Sequence, residues 1–211
     1  EELLNRYENL LSLFDNDSRK ESFDKLVEFA EDQTEYLIAP ASAKYHLCIK
    51  NGLLEHSVNV AEHLLRLRKT LAPEISISSC VLVGLFHDLG KVGMPGRPFY
   101  IKNYPTDRQA QYGYPATTPY GYSDKLVTMT HADRSAFLIM SNMRLTESEY
   151  QAIRYHDGQY CDENKPVAQH EEKLLFLLSV ADYWSARFVE TNERDDIPVR
   201  NDSDYKRNEV K

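Results

Sequence analysis

The chain is short of cysteine, has no excess of positive charge and carries no long apolar run, and each shortage closes off a class of function. Three cysteines in 211 residues, Cys48, Cys80 and Cys161, are odd in number, widely spaced and never paired as CxxC. That pattern disfavours a disulfide framework and leaves free thiols in a reducing compartment. Asp and Glu outnumber Lys and Arg by 33 to 25, for a formal net charge of −8. Tight non-specific binding of a nucleic-acid polymer needs a basic face, so this balance argues against it. A small anionic substrate stays allowed, because bound metal ions reverse the potential locally. The longest apolar stretches, around Val81–Phe86 and Leu174–Ala181, have the size of core helices and fall short of a bilayer span, so no membrane role is expected. A Walker-type GxxxxGK[ST] segment is missing, which disfavours a nucleotide-driven motor or kinase. The acidic N-terminus has no signal-peptide pattern, and Glu1 reads as a trimmed start or a missing leader. The expectation is a cytoplasmic protein.

What is present is helical period. Hydrophobic content of 42% and charged content of 27% are ordinary for a globular protein, and 211 residues suffice for one domain with a sizeable core. Leu3, Leu4, Tyr7, Leu10, Leu11 and Phe14 recur at helical spacing, as do Phe23, Leu26, Val27 and Phe29. A helix over 53–71 follows, then one ending at Gly90, whose lack of a side chain suits the left-handed closure of a helix. Helix is expected again from Ser123 or Asp124 through Met143. Thr146-x-x-Glu149 is a capping box opening a short helix to about His156, and the last helix covers 174–189. The fold expected is all-α. Its single domain spans 1–190, with a core over 45–185 on which N-terminal helices in 1–38 pack, and a charged, mobile tail follows over 191–211. Residues 93–123 hold five prolines, six tyrosines and, among their glycines, Gly96, Gly113 and Gly121, with no helical or strand period. Their aromatic content predicts a long, ordered loop packed on the bundle.

Chemistry concentrates in Phe86-His87-Asp88-Leu89-Gly90-Lys91. Adjacent side chains on a helix point apart, so an adjacent His-Asp pair serves one metal only near a helix end. Lys91 sets a mobile cation beside the carboxylate, suited to a phosphate oxygen. Asp182 lies in the apolar segment Ser179-Val180-Ala181-Asp182-Tyr183-Trp184, where an unpaired carboxylate has no structural use. His56, His131 and His156 read singly as solvated side chains. Together with His87, Asp88 and Asp182 they form a set that a helical bundle can direct into one cleft. Four of them, His56, His87, Asp88 and Asp182, would hold one first-row ion with water positions open. With Asp88 bridging, His131 and His156 can hold a second, so that two ions share a hydroxide and clamp a phosphate. His46 and His63 are secondary candidates, and His170 reads as solvated.

The order His56 … His87-Asp88 … Asp182 resembles the HD superfamily of metal-dependent phosphohydrolases over about 45–184, most of the chain. Gly52-Leu53-Leu54-Glu55-His56-Ser57 is similar to the first-histidine motif of HD-type 3′-to-5′ exoribonucleases and related HD hydrolases, and His87-Asp88-Leu89-Gly90-Lys91 resembles the HDxGK form of the signature. His131 and His156 fall where dinuclear branches place further histidine ligands. Branches with two adjacent histidines at the later position have His156-Asp157 here, so Asp157 either substitutes as a ligand or faces solvent. The resemblance implies an HD-domain helical bundle and one or two divalent transition metals (Mn, Fe, Co, Ni or Zn), with Mg a further candidate. It implies hydrolysis of a phosphate ester or anhydride of a nucleotide or nucleic-acid end by metal-activated hydroxide. Asp88 and Lys91 would be the catalytic pair. Lys91, Arg97, Lys102 and Arg108 would meet phosphates while a loop tyrosine, Tyr100, stacks on a base. The alternative is a non-catalytic HD module that binds nucleotide or metal as a sensor or assembly element.

Overall fold

The computed structural model describes residues 1–159 and 161–190 of the chain. Helices dominate, in the order α1 (Glu2–Ser12), α2 (Lys20–Asp32), α3 (Gly52–Leu71), α4 (Ile77–Phe86), α5 (Asp107–Gln111), α6 (His131–Met140), α7 (Glu147–Tyr155) and α8 (Lys173–Trp184). Short β1 (Tyr100–Lys102) and β2 (Tyr120–Tyr122) pair antiparallel, with Tyr100 opposite Tyr122. The fold is the all-α bundle expected. The tail beyond Glu190 falls outside the described residues.

The helix α3 is the axis, packing against α1, α4 and α8, and α7 packs against α4, α6 and α8. Its inward face, Leu53, Leu54, Val58, Ala61 and Leu64, is fully buried. The helix α4 is apolar on every side, with Cys80 to Phe86 all buried, as expected of a helix at the centre of a bundle. Gly84 permits the close crossing of these two helices: a Cβ there would lie 2.6 Å from the Ala61 Cα. The crossing brings His56 and His87 together, with ring centroids 5.4 Å apart. The helices α1 and α2 cover the far side through Tyr7, Leu10, Phe14, Phe23 and Leu26. Phe14 and Phe23 stack at 3.9 Å, and Tyr36 donates a hydrogen bond to the Leu85 carbonyl at 2.6 Å.

Three local expectations need correction. Gly90 is not left-handed. After α4 the chain tightens into a turn of 3-10 helix over Leu89–Val92, and Gly90 is needed there for room. A Cβ on it would meet the His131 carbonyl oxygen at 2.0 Å, and its own N–H donates to Ser135 Oγ at 2.8 Å. The helix expected from residue 123 starts instead at His131. Thr130 is extended and caps it, accepting a hydrogen bond from the Asp133 N–H, which ends the competition between loop and helix in favour of a later start. The tyrosine-rich stretch is ordered, as expected, but not without regular structure: it contains β1, β2 and a capping box at Thr106 and Gln109 that opens α5. The expected Thr146–Glu149 box is present with both of its hydrogen bonds. Among the described residues no helix is long and apolar enough to cross a membrane.

Candidate metal centre

Five helices and one turn deliver the predicted residues to one place. His56 comes from the N-terminal half of α3, His87 from the residue capping α4, Asp88 from the turn after it, and His131 from the first residue of α6. His156 caps α7, and Asp182 lies in the last turn of α8. Asp88 is at the middle. Its Oδ2 is 3.5 Å from His56 Nε2 and 3.6 Å from His87 Nε2, and its Oδ1 is 3.3 Å from His131 Nε2 and 3.4 Å from His156 Nε2. Asp182 Oδ1 stands 3.2 Å from His56 Nε2. Asp157 closes the other side, with Oδ2 3.4 Å from His131 Nε2. Asp157 thus turns a carboxylate oxygen to the cluster while a third of its side chain stays exposed to solvent.

The donor set fits divalent cations. Candidate groups of three are His46, His56 and Glu190; His56, His87 and Asp182; His87, Asp88 and His156; and His131, His156 and Asp157, each with its donor atoms within 4.8 Å of one another. Backbone carbonyls fix two of the imidazoles: His87 Nδ1 donates to the Gly84 oxygen at 3.0 Å and His156 Nδ1 to the Ile153 oxygen at 2.7 Å. Each bond commits the proton to Nδ1 and aims Nε2 into the cluster. Nε2 of His56, Nε2 of His87 and Oδ1 of Asp88 are buried without a hydrogen-bond partner. Leaving a buried polar atom unpaired costs roughly 1–3 kcal/mol, and a cation among these atoms satisfies all three at once.

Charge within the cluster is distributed to match. Burial would raise the Asp88 carboxyl, but Lys91, His87 and the other histidines hold it well below the usual carboxylate range. Burial raises Asp182 too, and His56 more than offsets that, bringing it down to about 2. Burial, opposed by Asp88 and aided by His156 and His56, pushes the His87 imidazole down to about 4. It also lowers His56 and His156, yet their carboxylate neighbours prevail and carry them up to about 10 and about 9. The anionic side chains are therefore ready to receive cations, and two of the imidazoles must lose a proton to do so. Lys91, with its Nζ 2.5 Å from Asp88 Oδ2, is driven up by that carboxylate against the effect of burial.

A cleft of about 510 Å³ opens onto Asp88, Lys91, His156, Asp157 and Asp182. Its other wall is apolar and aromatic: Phe176, Val180, Tyr183, Trp184 and Phe188. The Trp184 and Phe188 rings lie 4.8 Å apart, and the Arg187 guanidinium sits over the Tyr183 ring at 4.4 Å. The loop side chains do not join this cleft. Arg97 turns towards the Lys125 carbonyl, Lys102 and Arg108 face solvent, and Tyr100 is buried with its hydroxyl 3.5 Å from the Ala41 oxygen. His46 lines the cleft, whereas His63 bonds to the Asn59 carbonyl in a separate pocket. Sequence reasoning missed Glu190, whose carboxylate lies 3.1 Å from His56 Nδ1, and the aromatic wall after Asp182. For the wall a signal existed in the run Tyr183-Trp184 and Phe188 directly after a ligand candidate.

Among known proteins, the model of the HD domain family matches residues 53–187, well over half of the chain. Comparison with curated proteins and with solved structures yields no match.

Proposed function

The chain belongs to the HD-domain superfamily of metal-dependent phosphohydrolases, and we propose that it is a catalytic member that cleaves a phosphate ester or anhydride of a small nucleotide. The observation that supports this most is the shared carboxylate. Asp88 turns one oxygen to His56 and His87 and the other to His131 and His156, the arrangement by which one side chain serves two ions. An inner ion would be held by His56, His87, Asp88 and Asp182, and an outer one by Asp88, His131, His156 and Asp157. Imidazole and carboxylate donors together suit Mn, Fe, Co, Ni or Zn. When bound, such ions supply Lewis acidity that brings the pKa of water towards neutrality and positive charge for phosphoryl oxygens.

The residues of the chain do the rest. Lys91 has three N–H donors, one engaged by Asp88 Oδ2, and it opens onto the cleft, where another can reach a non-bridging phosphoryl oxygen as charge develops on it. Asp88 anchors that ammonium and keeps it charged. The aromatic wall excludes water beside the reacting centre and offers Trp184 and Phe188 as a face for a flat ring. Arg187 adds a cation at the mouth of the cleft. A cleft of about 510 Å³ is of small-molecule size, which favours a mononucleotide over a polymer.

Elemental analysis of the purified chain, combined with phosphate release from a panel of nucleoside mono- and triphosphates, tests the proposal. The expected result is two metals per chain, falling to one in His131→Ala, and metal-dependent phosphate release. A folded sample that binds no metal after reconstitution would refute it. A metal-loaded sample without turnover on any phosphate ester would leave the non-catalytic alternative.

A further inference from the structure

Glu190 lies three residues beyond the span matched by the HD domain family model and is almost wholly enclosed, its side chain 1% exposed. Both of its carboxylate oxygens are 3.1 Å from His56 Nδ1. A second contact fixes it from the side: Asn59 Nδ2 donates to Glu190 Oε1 at 3.1 Å. Asn59 is in turn held by Arg6 of α1, whose Nη2 donates to Asn59 Oδ1 at 2.8 Å while the guanidinium grips Glu62 through two bonds of 3.0 Å. A continuous polar chain therefore runs from the N-terminal helix through Asn59 and Glu190 to the first histidine of the centre.

Backbone geometry explains how Glu190 gets there. Eight positions separate it from Asp182, the other carboxylate against His56. At about 3.6 residues per turn those two positions would stand ~80° apart on a regular helix. After α8 the chain widens into a turn of π-helix over Ser185–Val189, and the Glu190 N–H reaches back five residues to the Ser185 carbonyl at 3.0 Å. The wide turn takes up the surplus rotation, so Asp182 and Glu190 both reach the His56 ring, at Nε2 and at Nδ1. Such turns cluster at functional sites.

We propose that Glu190 is a positioning residue for the metal centre. It accepts the Nδ1 proton of His56, fixes the ring and leaves Nε2 to face the inner ion. Asn59 and Arg6 hold the carboxylate in place for that task. The inference rests on the reading of His56 as a metal ligand. A carboxylate behind a ligating histidine orients the ring and raises its basicity, and losing one typically costs about 10- to 100-fold in metal affinity.

The test is titration of the full chain with Zn2+ against a competing chelator, beside NMR of the Zn2+-loaded protein and a thermal midpoint of the metal-free protein. Glu190→Ala is expected to weaken the inner Zn2+ site, the one that remains in His131→Ala, about 10- to 100-fold and to abolish the slowly exchanging His56 Nδ1 proton signal. Glu190→Gln should restore most of the affinity, because its amide oxygen still accepts that proton. Asn59→Ala should weaken binding less than Glu190→Ala, and Arg6→Ala least. Wild-type affinity in Glu190→Ala overturns the inference, whatever happens to the midpoint. So does an equal loss in the Ala and Gln variants with the His56 Nδ1 signal intact, since the loss would then come from packing. A wild-type chain that binds no Zn2+ would instead overturn the metal-site reading beneath it.

Discussion

Glu149 and Asp88 are removed from water to the same extent, 0% and 1% exposed, and the protein treats them in opposite ways. Glu149 is saturated. Its Oε1 accepts from Arg19 Nη2 at 3.0 Å and Ser79 Oγ at 2.7 Å, and its Oε2 from Arg19 Nη1 at 2.8 Å and the Thr146 N–H at 2.9 Å. Asp88 has one hydrogen-bond partner, Lys91 on Oδ2, and its Oδ1 has none, although His131 and His156 Nε2 stand 3.3 and 3.4 Å from it. A buried charge survives only when its lone pairs are engaged. Glu149 meets that requirement with the chain alone and so acts as a clamp between α2, α4 and α7. Asp88 does not meet it, and the unmet part is the opening for cations. Burial by itself distinguishes nothing here. What separates these two carboxylates is the unengaged Oδ1 of Asp88.

The widest separation between the two sites should come from substituting each carboxylate by its amide. Asp88→Asn is expected to cut metal-dependent turnover by about 10³-fold, the upper end of what loss of a single electrostatic contact costs, and to lower metal content. Its thermal midpoint should move less than that of the Glu149 variant, because Lys91 opens onto the cleft and can turn to water. Retention of metal by Asp88→Asn together with a collapse of the midpoint would reverse the assignment of roles. Glu149→Gln is the mirror case. It removes the ionic half of a buried bidentate pair, and denaturant unfolding should show a loss of about 3 kcal/mol, the lower end for breaking such pairs, since Arg19 keeps 26% of its side chain exposed. Metal content should be unchanged, and a fall in metal per chain would show the clamp to be part of the site.

The comparison also marks where sequence stops being legible. The Thr146–Glu149 box could be read because it is local, three residues in one turn. The partner that makes Glu149 a clamp, Arg19, is 130 positions away, and nothing periodic links them. Asp182 was readable because a carboxylate stands out in an apolar helix, and the His87-Asp88 pair because it closes an apolar run; His56 read singly as solvated and joined only through the set. Glu190 was not, since on regular helical geometry it would stand ~80° round the helix from Asp182, and the wide turn after Trp184 takes up that rotation. The helical segments over 53–71 and 174–189 emerged from long apolar periods. The strands in the tyrosine-rich stretch are three residues each, too short for any period to show. The start of α6 was misplaced because Thr130 caps the helix by a side-chain bond that composition does not reveal.

The smallest expected effect, and the finest test of the contrast, is the pH dependence of the clamp. Burial raises the Glu149 carboxyl, but Arg19, with the Thr146 N–H and Ser79, outweighs it and leaves the group below its ordinary value of 4.5 in the folded chain. A group with a depressed folded value stabilises above its unfolded value and loses that contribution as pH falls through the folded one. The stability gap between wild type and Glu149→Gln should therefore be full above about pH 5 and narrow as the solution is acidified further. With a chelator present, contributions from groups that the substitution does not touch cancel from the difference. Thermal midpoints of the two chains between pH 7 and pH 3 would measure the gap. A gap that stays constant to the lowest pH would mean that the carboxylate is no better satisfied in the fold than in water, and the contrast with Asp88 would then have to rest on something other than engaged lone pairs.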